Sequence, residues 1–317
     1  MGVRLYREGD EYAIQRLFTT VFKKERSLTE WKWKFFKQKP YILVYEKEER
    51  IVGHVALWVL HAFFSGKKQN VGLRVDTMVD PSHRNEGIYQ QLTETLFQNA
   101  REDHIHLLYG FPSSSAKQGL LHHSSALEIG RIPRYRKMNR LFFKKATLPP
   151  EGYFLQEIHG YDKRFDAFAE RIKYQYSFSI IKDADFFHWR YFKHPTNTYK
   201  VFIVTKEQAI EGYIVVKKEI KTIKGAPFPV GSIIDGDAFD EQIWECLLTC
   251  GENALKKTLF IQTWLPFHPG VRTSMKKKNY KKKPVDMTLV VNVLDTEHKD
   301  LENTMDWKIA MGDVDAF

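Results

Sequence analysis

From Asp10 onward the apolar residues Ile14, Leu17, Phe18, Val21 and Phe22 recur at the three-and-four spacing of a helix with one buried face, and Asp10 suits its N-cap. Segments 41–45, 51–64 and 71–79 are rich in β-branched and aromatic residues and predict strands. After Gly87 the period returns to helical, with Ile88, Leu92, Leu96 and Ala100 on one stripe, and 105–111 reads as a buried strand. The second half runs similarly: a helix over 165–172, strands near Val201, at 212–216 and at 231–235, a helix over 241–256, then strands 259–264 and 287–293. Each half is therefore expected to be an α/β unit of mixed sheet with few helices.

The chain also resembles itself. EWKWKFFKQKPYILVYEKEERIVGHVAL, from Glu30, returns in altered form from Phe186 as FFHWRYFKHPTNTYKVFIVTKEQAIEGYIVV. Trp33 matches Trp189, Lys34 matches Arg190, Phe36 matches Phe192, Lys37 matches Lys193 and Pro40 matches Pro195. In each copy an apolar strand and a charged turn follow, then Gly53 or Gly212 opens another apolar strand. Order and spacing favour duplication over chance. Between the copies, Thr147-Leu-Pro-Pro-Glu-Gly152 has the composition of a linker, which predicts domains over 1–148 and 149–317.

Composition narrows the classes. A chain of 317 residues that is 43% hydrophobic and 14% aromatic can build packed cores, which excludes a disordered or fibrous protein. Cys246 and Cys250, with no clustered His, make neither a disulfide framework nor a zinc site. No window nears the roughly 20 apolar residues that span a bilayer, and the charged opening MGVRLYREGDEY does not suit a signal peptide, so a cytoplasmic location and no membrane partner are expected. Myristoylation at Gly2 is set aside because Tyr6 stands where Ser or Thr is needed. The net charge of +10 favours polyanions generally. Its densest run, Lys276-Lys-Lys-Asn-Tyr-Lys-Lys-Lys283, reads as a solvated helix end and turn, with the Asn-Tyr pair leaving the helix in a left-handed conformation. A specific nucleic-acid partner is not expected.

The most specific stretch is Asp76-Thr-Met-Val-Asp-Pro-Ser-His-Arg-Asn-Glu-Gly-Ile-Tyr-Gln-Gln-Leu92. A strand ends at Val79, a loop holds Arg84 and Gly87, and a helix begins, which aims backbone N–H groups and a helix dipole at one point and suits a diphosphate. Neither the Walker pattern nor the three-glycine dinucleotide fingerprint is present.

Read on these residues, the first half resembles the GNAT superfamily of N-acetyltransferases, whose acetyl-CoA loop reads Arg/Gln-x-x-Gly-x-Gly/Ala after a strand ending near Val-x-Pro. Here it stands as Val79-Asp80-Pro81 and Arg84-Asn85-Glu86-Gly87-Ile88-Tyr89, departing at Tyr89, where the family has a small residue. The opening VRLYREGDEYAIQRLF, Tyr109-Gly-Phe-Pro-Ser-Ser-Ser115 and the ending from Trp307 also look like tandem members of the superfamily. The resemblance implies two GNAT-like domains, each a mixed and mostly antiparallel sheet flanked by helices. It further implies acetyl-CoA as donor, no metal, and a primary amine of a small molecule or peptide as acceptor. Backbone amides from Asn85 to Tyr89 would hold the diphosphate beside Arg84, Glu86 and Ile88, the main chain of Met78 and Val79 would pair with pantetheine, and Ser114 would line the donor pocket.

The matching loop of the second half, Gly236-Asp-Ala-Phe-Asp-Glu241, lacks Arg-x-x-Gly and carries three acids that would repel a diphosphate, so that half is expected not to bind the coenzyme. Acyl transfer to an amine needs a neutral nucleophile, a held thioester and donors for the oxyanion. Asp76 is a candidate base, or else a structural carboxylate paired with Arg74 or another cation. His122 or His123 is a candidate acid. Tyr109 is a candidate proton donor to the thiolate. Trp31, Trp33, Phe35 and Phe36 either wall a cleft or belong to the core. Two rival readings keep the fold: an aminoacyl transferase of the peptidoglycan type, against which Arg84 and Gly87 argue, and a coenzyme A-binding module without turnover.

Overall fold

The computed structural model describes residues 2–37, 40–112, 117, 120–121, 124, 126–139, 148–223, 225–264, 269–294 and 307–315. The chain forms two compact units, one of Met1–Ala62, Lys67–Gly130 and Thr288–Asn303, the other of Phe63–Gly66, Arg131–Met287 and Thr304–Phe317. The edges of these units do not coincide with a break at 148/149, because each unit takes a segment from the far part of the chain.

In the first unit β1 (Gly2–Leu5), α1 (Asp10–Phe22), α2 (Leu28–Phe35), β2 (Tyr41–Lys47), β3 (Arg50–Phe64), β4 (Lys67–Val79), α3 (Ile88–Glu102) and β5 (Ile105–Gly110) follow in order. In the second come β6 (Leu127–Met138), β7 (Tyr153–Ile158), α4 (Arg164–Ile172), β8 (Phe178–Ile180), α5 (Ala184–Phe187), β9 (Tyr199–Lys206), β10 (Ala209–Ile223) and β11 (Ala226–Ala238). There follow α6 (Glu241–Ala254), β12 (Phe260–Thr263), α7 (Pro269–Lys277), β13 (Lys281–Val293), which belongs to the first unit from Thr288 on, and β14 (Trp307–Lys308).

The strand orders match. In the first unit it is β1-β2-β3-β4-β5-β13, and in the second β7-β9-β10-β11-β12-β6. The fourth and fifth strands are parallel in both, β4 with β5 and β11 with β12. The sixth is antiparallel in both, with Val290↔Gly110 in one and Phe260↔Met138 in the other. The sixth strand of the first unit comes from the end of the chain, and that of the second from residues that precede the linker.

The two units also pack alike at one point. A Cβ on Gly53 would stand 2.7 Å from Ile88 Cγ2 and 2.9 Å from Leu92 Cδ1, and a Cβ on Gly212 would stand 2.8 Å from Ile243 Cγ2 and 2.9 Å from Leu247 Cδ1. In each unit the glycine lets one turn of the crossing helix lie directly on the strand. On α3 the stripe of Ile88, Leu92, Leu96 and Ala100 is buried as its period requires. The lysine run behaves as its composition suggests: α7 ends at Lys277, Asn279 turns left-handed at φ 64°, and β13 starts at Lys281.

Candidate functional site

The loop between β4 and α3 forms because β4 stops at a small capped turn. Asp80 accepts from the Ser82 amide at 2.9 Å and the Ser82 hydroxyl at 2.6 Å, which starts a single 3-10 turn over Pro81–His83. Arg84 then runs extended, Asn85 adopts φ 67°, and Gly87 takes φ 74° as the N-cap of α3, a conformation that favours glycine. No side chain caps α3 and no acid lies in its first turn. Its first N–H groups and the positive end of its dipole are thus left for an external anion. Glu86 is drawn off by Lys47 at 2.8 Å.

The corresponding place in the second unit is closed. Only Phe239 and Asp240 separate β11 from α6, and Asp240 caps that helix by accepting from the Ile243 amide at 2.8 Å. A carboxylate already holds the position an anion would take. Asp237, one of the three acids expected to face the loop, is instead buried and paired with Lys308.

Ile88 and Tyr89 offer the loop only their backbones. Ile88 is buried in the core of the first unit, and the half-buried Tyr89 packs against Leu120, Ala126 and Val290. The large side chain at 89 therefore turns inward. Met78 is buried and Val79 packs on the core, while β4 and β5 pair only as far as Leu73↔Tyr109. Beyond that pair no further rung joins the two strands. Tyr109 is wholly buried at the last rung of this ladder.

Asp76 lies past the last rung, on β4, with φ 48° and its side chain buried. Its carboxylate pairs with Arg26 and, at 2.7 Å, with Lys34, so its partners are these two cations and not Arg74. Burial opposes its charge, but Lys34 and Arg26 hold the carboxyl well below the usual range. A carboxylate so held is a weak proton acceptor. No signal in the local sequence ties Asp76 to Arg26, which is distant along the chain. Trp31 and Phe35 are core residues, Trp33 is half-buried with its ring centroid 6.1 Å from that of Trp58, and Phe36 is exposed. Ser114, His122 and His123 lie outside the described residues.

His54 is buried beside this carboxylate, its Nδ1 donating to the Asp76 carbonyl at 2.7 Å. The bare Nε2 is buried without a hydrogen-bond partner. Burial, reinforced by Arg26 and Lys34, pushes the imidazole from 6.5 down to about 4. The unfolded chain takes the proton first, so stability should fall as pH drops from about 6.5 to 4, by up to about 3 kcal/mol from this group. Urea unfolding of wild type and His54→Gln at pH 7 and pH 4.5 checks this: the variant should lose less, and equal losses would refute the assignment.

Among the described residues no group of three or more His, Cys, Asp or Glu is placed to hold a metal ion. No described helix is long and apolar enough to cross a membrane.

With this geometry in hand, residues 2–117 match the acetyltransferase (GNAT) domain family. Solved structures with the same fold include a GCN5-related N-acetyltransferase from Anabaena variabilis, TM-score 0.70 at 12% identity over 92% of this chain and 72% of that one. A conserved protein of Enterococcus faecalis described as a probable N-acyltransferase gives TM-score 0.70 at 10% identity, again over 92% and 72% of the two chains. Eis1 from Mycobacterium abscessus gives 0.65 at 13% identity over 94% and 75%. Among curated proteins, none matches this sequence.

Proposed function

Because residues 2–117 match the GNAT acetyltransferase domain family, we propose that the protein is an N-acetyltransferase that takes acetyl-CoA in its first unit and transfers the acetyl group to a primary amine of a small molecule or peptide in the cytoplasm. One observation carries this reading: α3 opens on an uncapped glycine after a long loop, whereas α6 is capped by its own Asp240. The first arrangement fits a diphosphate and the second excludes one. The amides from Asn85 to Tyr89 would hold the diphosphate, and the main chain of Met78 and Val79 would hold pantetheine on the stretch of β4 that β5 leaves unpaired. The bound coenzyme would supply an activated acyl thioester. Asp76, held as an anion by two cations, is the least suited of the proton carriers, which leaves Tyr109, His122 or solvent. The second unit is read as a copy that keeps the fold without the donor loop.

Calorimetry with acetyl-CoA and Gly87→Glu tests the donor site. The carboxylate and the unfavourable φ at 87 should cost at least tenfold in affinity, about 1.4 kcal/mol, with thermal unfolding otherwise cooperative. Unchanged affinity in a folded variant would sink the loop assignment. A panel of amines, followed as free thiol released, tests turnover.

A further inference from the structure

Arg74 sits on β4 one residue beyond Leu73↔Tyr109, the last rung pairing β4 with β5. Its counterpart past the rung on β5 is Gly110, which leaves room for it: a Cβ at 110 would stand 3.7 Å from Arg74 Cβ and 3.8 Å from its Nε. Both terminal nitrogens of the guanidinium are buried and have no hydrogen-bond partner. Among the described residues no carboxylate shifts its titration, and the phenol of Tyr89 is the charge partner that acts on it. Burial alone pushes the guanidinium down to about 10, so it remains a cation at neutral pH. A buried, unpaired cation costs the folded chain several kcal/mol, and such a group persists where a ligand completes it.

The anion it awaits is fixed by where it stands. No rung pairs β4 with β5 between Leu73↔Tyr109 and the loop after β4, so a pantetheine arm running back along β4 from Val79 would bring its sulfur toward the paired end, where Arg74 stands. We propose, resting on the donor reading above, that Arg74 is a catalytic residue that stabilises the thiolate leaving group. As the amine nitrogen bonds to the acyl carbon, the carbon–sulfur bond breaks, its electron pair goes to sulfur, and the proton shed by the amine goes to solvent. The charge gathering on sulfur meets a fixed cation whose terminal nitrogens are out of water, where it counts most. Tyr89, at the place where the family has a small residue, forms part of the same arrangement: its ring turns inward, and burial pushes its pKa upward against the pull of Arg74, so the hydroxyl stays neutral and puts no anion beside the guanidinium.

The test uses coenzyme A itself as probe. The thiol of coenzyme A bound to wild type, followed by thiolate absorbance across a pH series, should titrate at least one unit below the free thiol, a tenfold change in its ionisation. Arg74→Met should bind coenzyme A and return the thiol to its free value, and Arg74→Lys should keep part of the shift. Arg74→Met should also raise the thermal midpoint of the free protein by at least about 2 °C, since an unpaired buried charge is gone. A merely structural arginine predicts the opposite sign. An unshifted thiol on wild type, the same shift in Arg74→Met, or a lowered midpoint in that variant would each overturn the proposal. No binding of coenzyme A to wild type would overturn the proposed function, and this inference with it.

Discussion

Residues 1–150 expressed alone should fail to form the first unit. The linker invites a cut there, but the sixth strand of that unit is the late part of β13, and its rungs with β5 run from Val290↔Gly110 to Val293↔Leu107. Val290 and Val291 are fully buried and Leu294 nearly so, with the Leu294 amide donating to the His106 carbonyl at 2.9 Å and its carbonyl accepting from Arg101 Nε at 3.1 Å. Burying three such side chains contributes on the order of 5 to 8 kcal/mol, comparable with the whole stability of a domain. Without them β5, whose Leu107, Leu108 and Tyr109 are wholly buried, becomes an open apolar edge. The fragment should therefore be recovered as aggregate. The same fragment carrying residues 287–294 on a flexible carboxyl-terminal linker should be soluble and unfold cooperatively. A soluble, cooperatively unfolding 1–150 without the added strand would refute this account.

That exchange marks the limit of what the sequence can show. The period of α3 and α6, the strands around them and the loop from Asp80 to Gly87 are local patterns, and they were legible because burial of one face imposes them residue by residue. The likeness of the two halves was legible too, since Trp33 and Trp189 sit in similar segments and Gly53 and Gly212 make similar close approaches to their helices. Strand partners are different. The alternation in 287–293 says that a strand forms and which face it buries, while its neighbour is decided by chain topology. The short strands β1, β7 and β8 carry too few residues for a period, and a 3-residue strand such as β8 is defined by its pairing with β14. In the site, Gly87 announced itself through the loop pattern. Arg74 did not, because an arginine in a strand looks like a surface residue until its neighbour on β5 proves to be a glycine.

Lys182→Met should destabilise the protein by about 3 to 5 kcal/mol, the usual loss when one partner of a buried charge group is removed. Lys182 Nζ stands 2.6 Å from Asp235 Oδ2 and 2.9 Å from Asp313 Oδ1, all three side chains buried. Burial opposes its charge, but Asp235 and Asp313 together raise its pKa above the ordinary lysine value. The two carboxylates depend on it unequally: Asp235 is held low by Lys182 and Lys308, whereas burial and the charge of Asp235 raise Asp313. Without the lysine, two carboxyl groups face each other in the core and one must take a proton. Asp76 in the first unit has two cations on one carboxylate, so Lys34→Met, which leaves Arg26 in place, should cost less than Lys182→Met. Adding Asp313→Asn to Lys182→Met should recover part of the loss, because a neutral amide no longer repels Asp235. Urea unfolding of the four proteins measures these differences. A loss below 1 kcal/mol in Lys182→Met, or no recovery in the double variant, would show that the carboxylates are stabilised by the hydroxyls of Tyr191 and Tyr213, which Asp235 accepts at 2.8 and 3.2 Å, and not by the lysine.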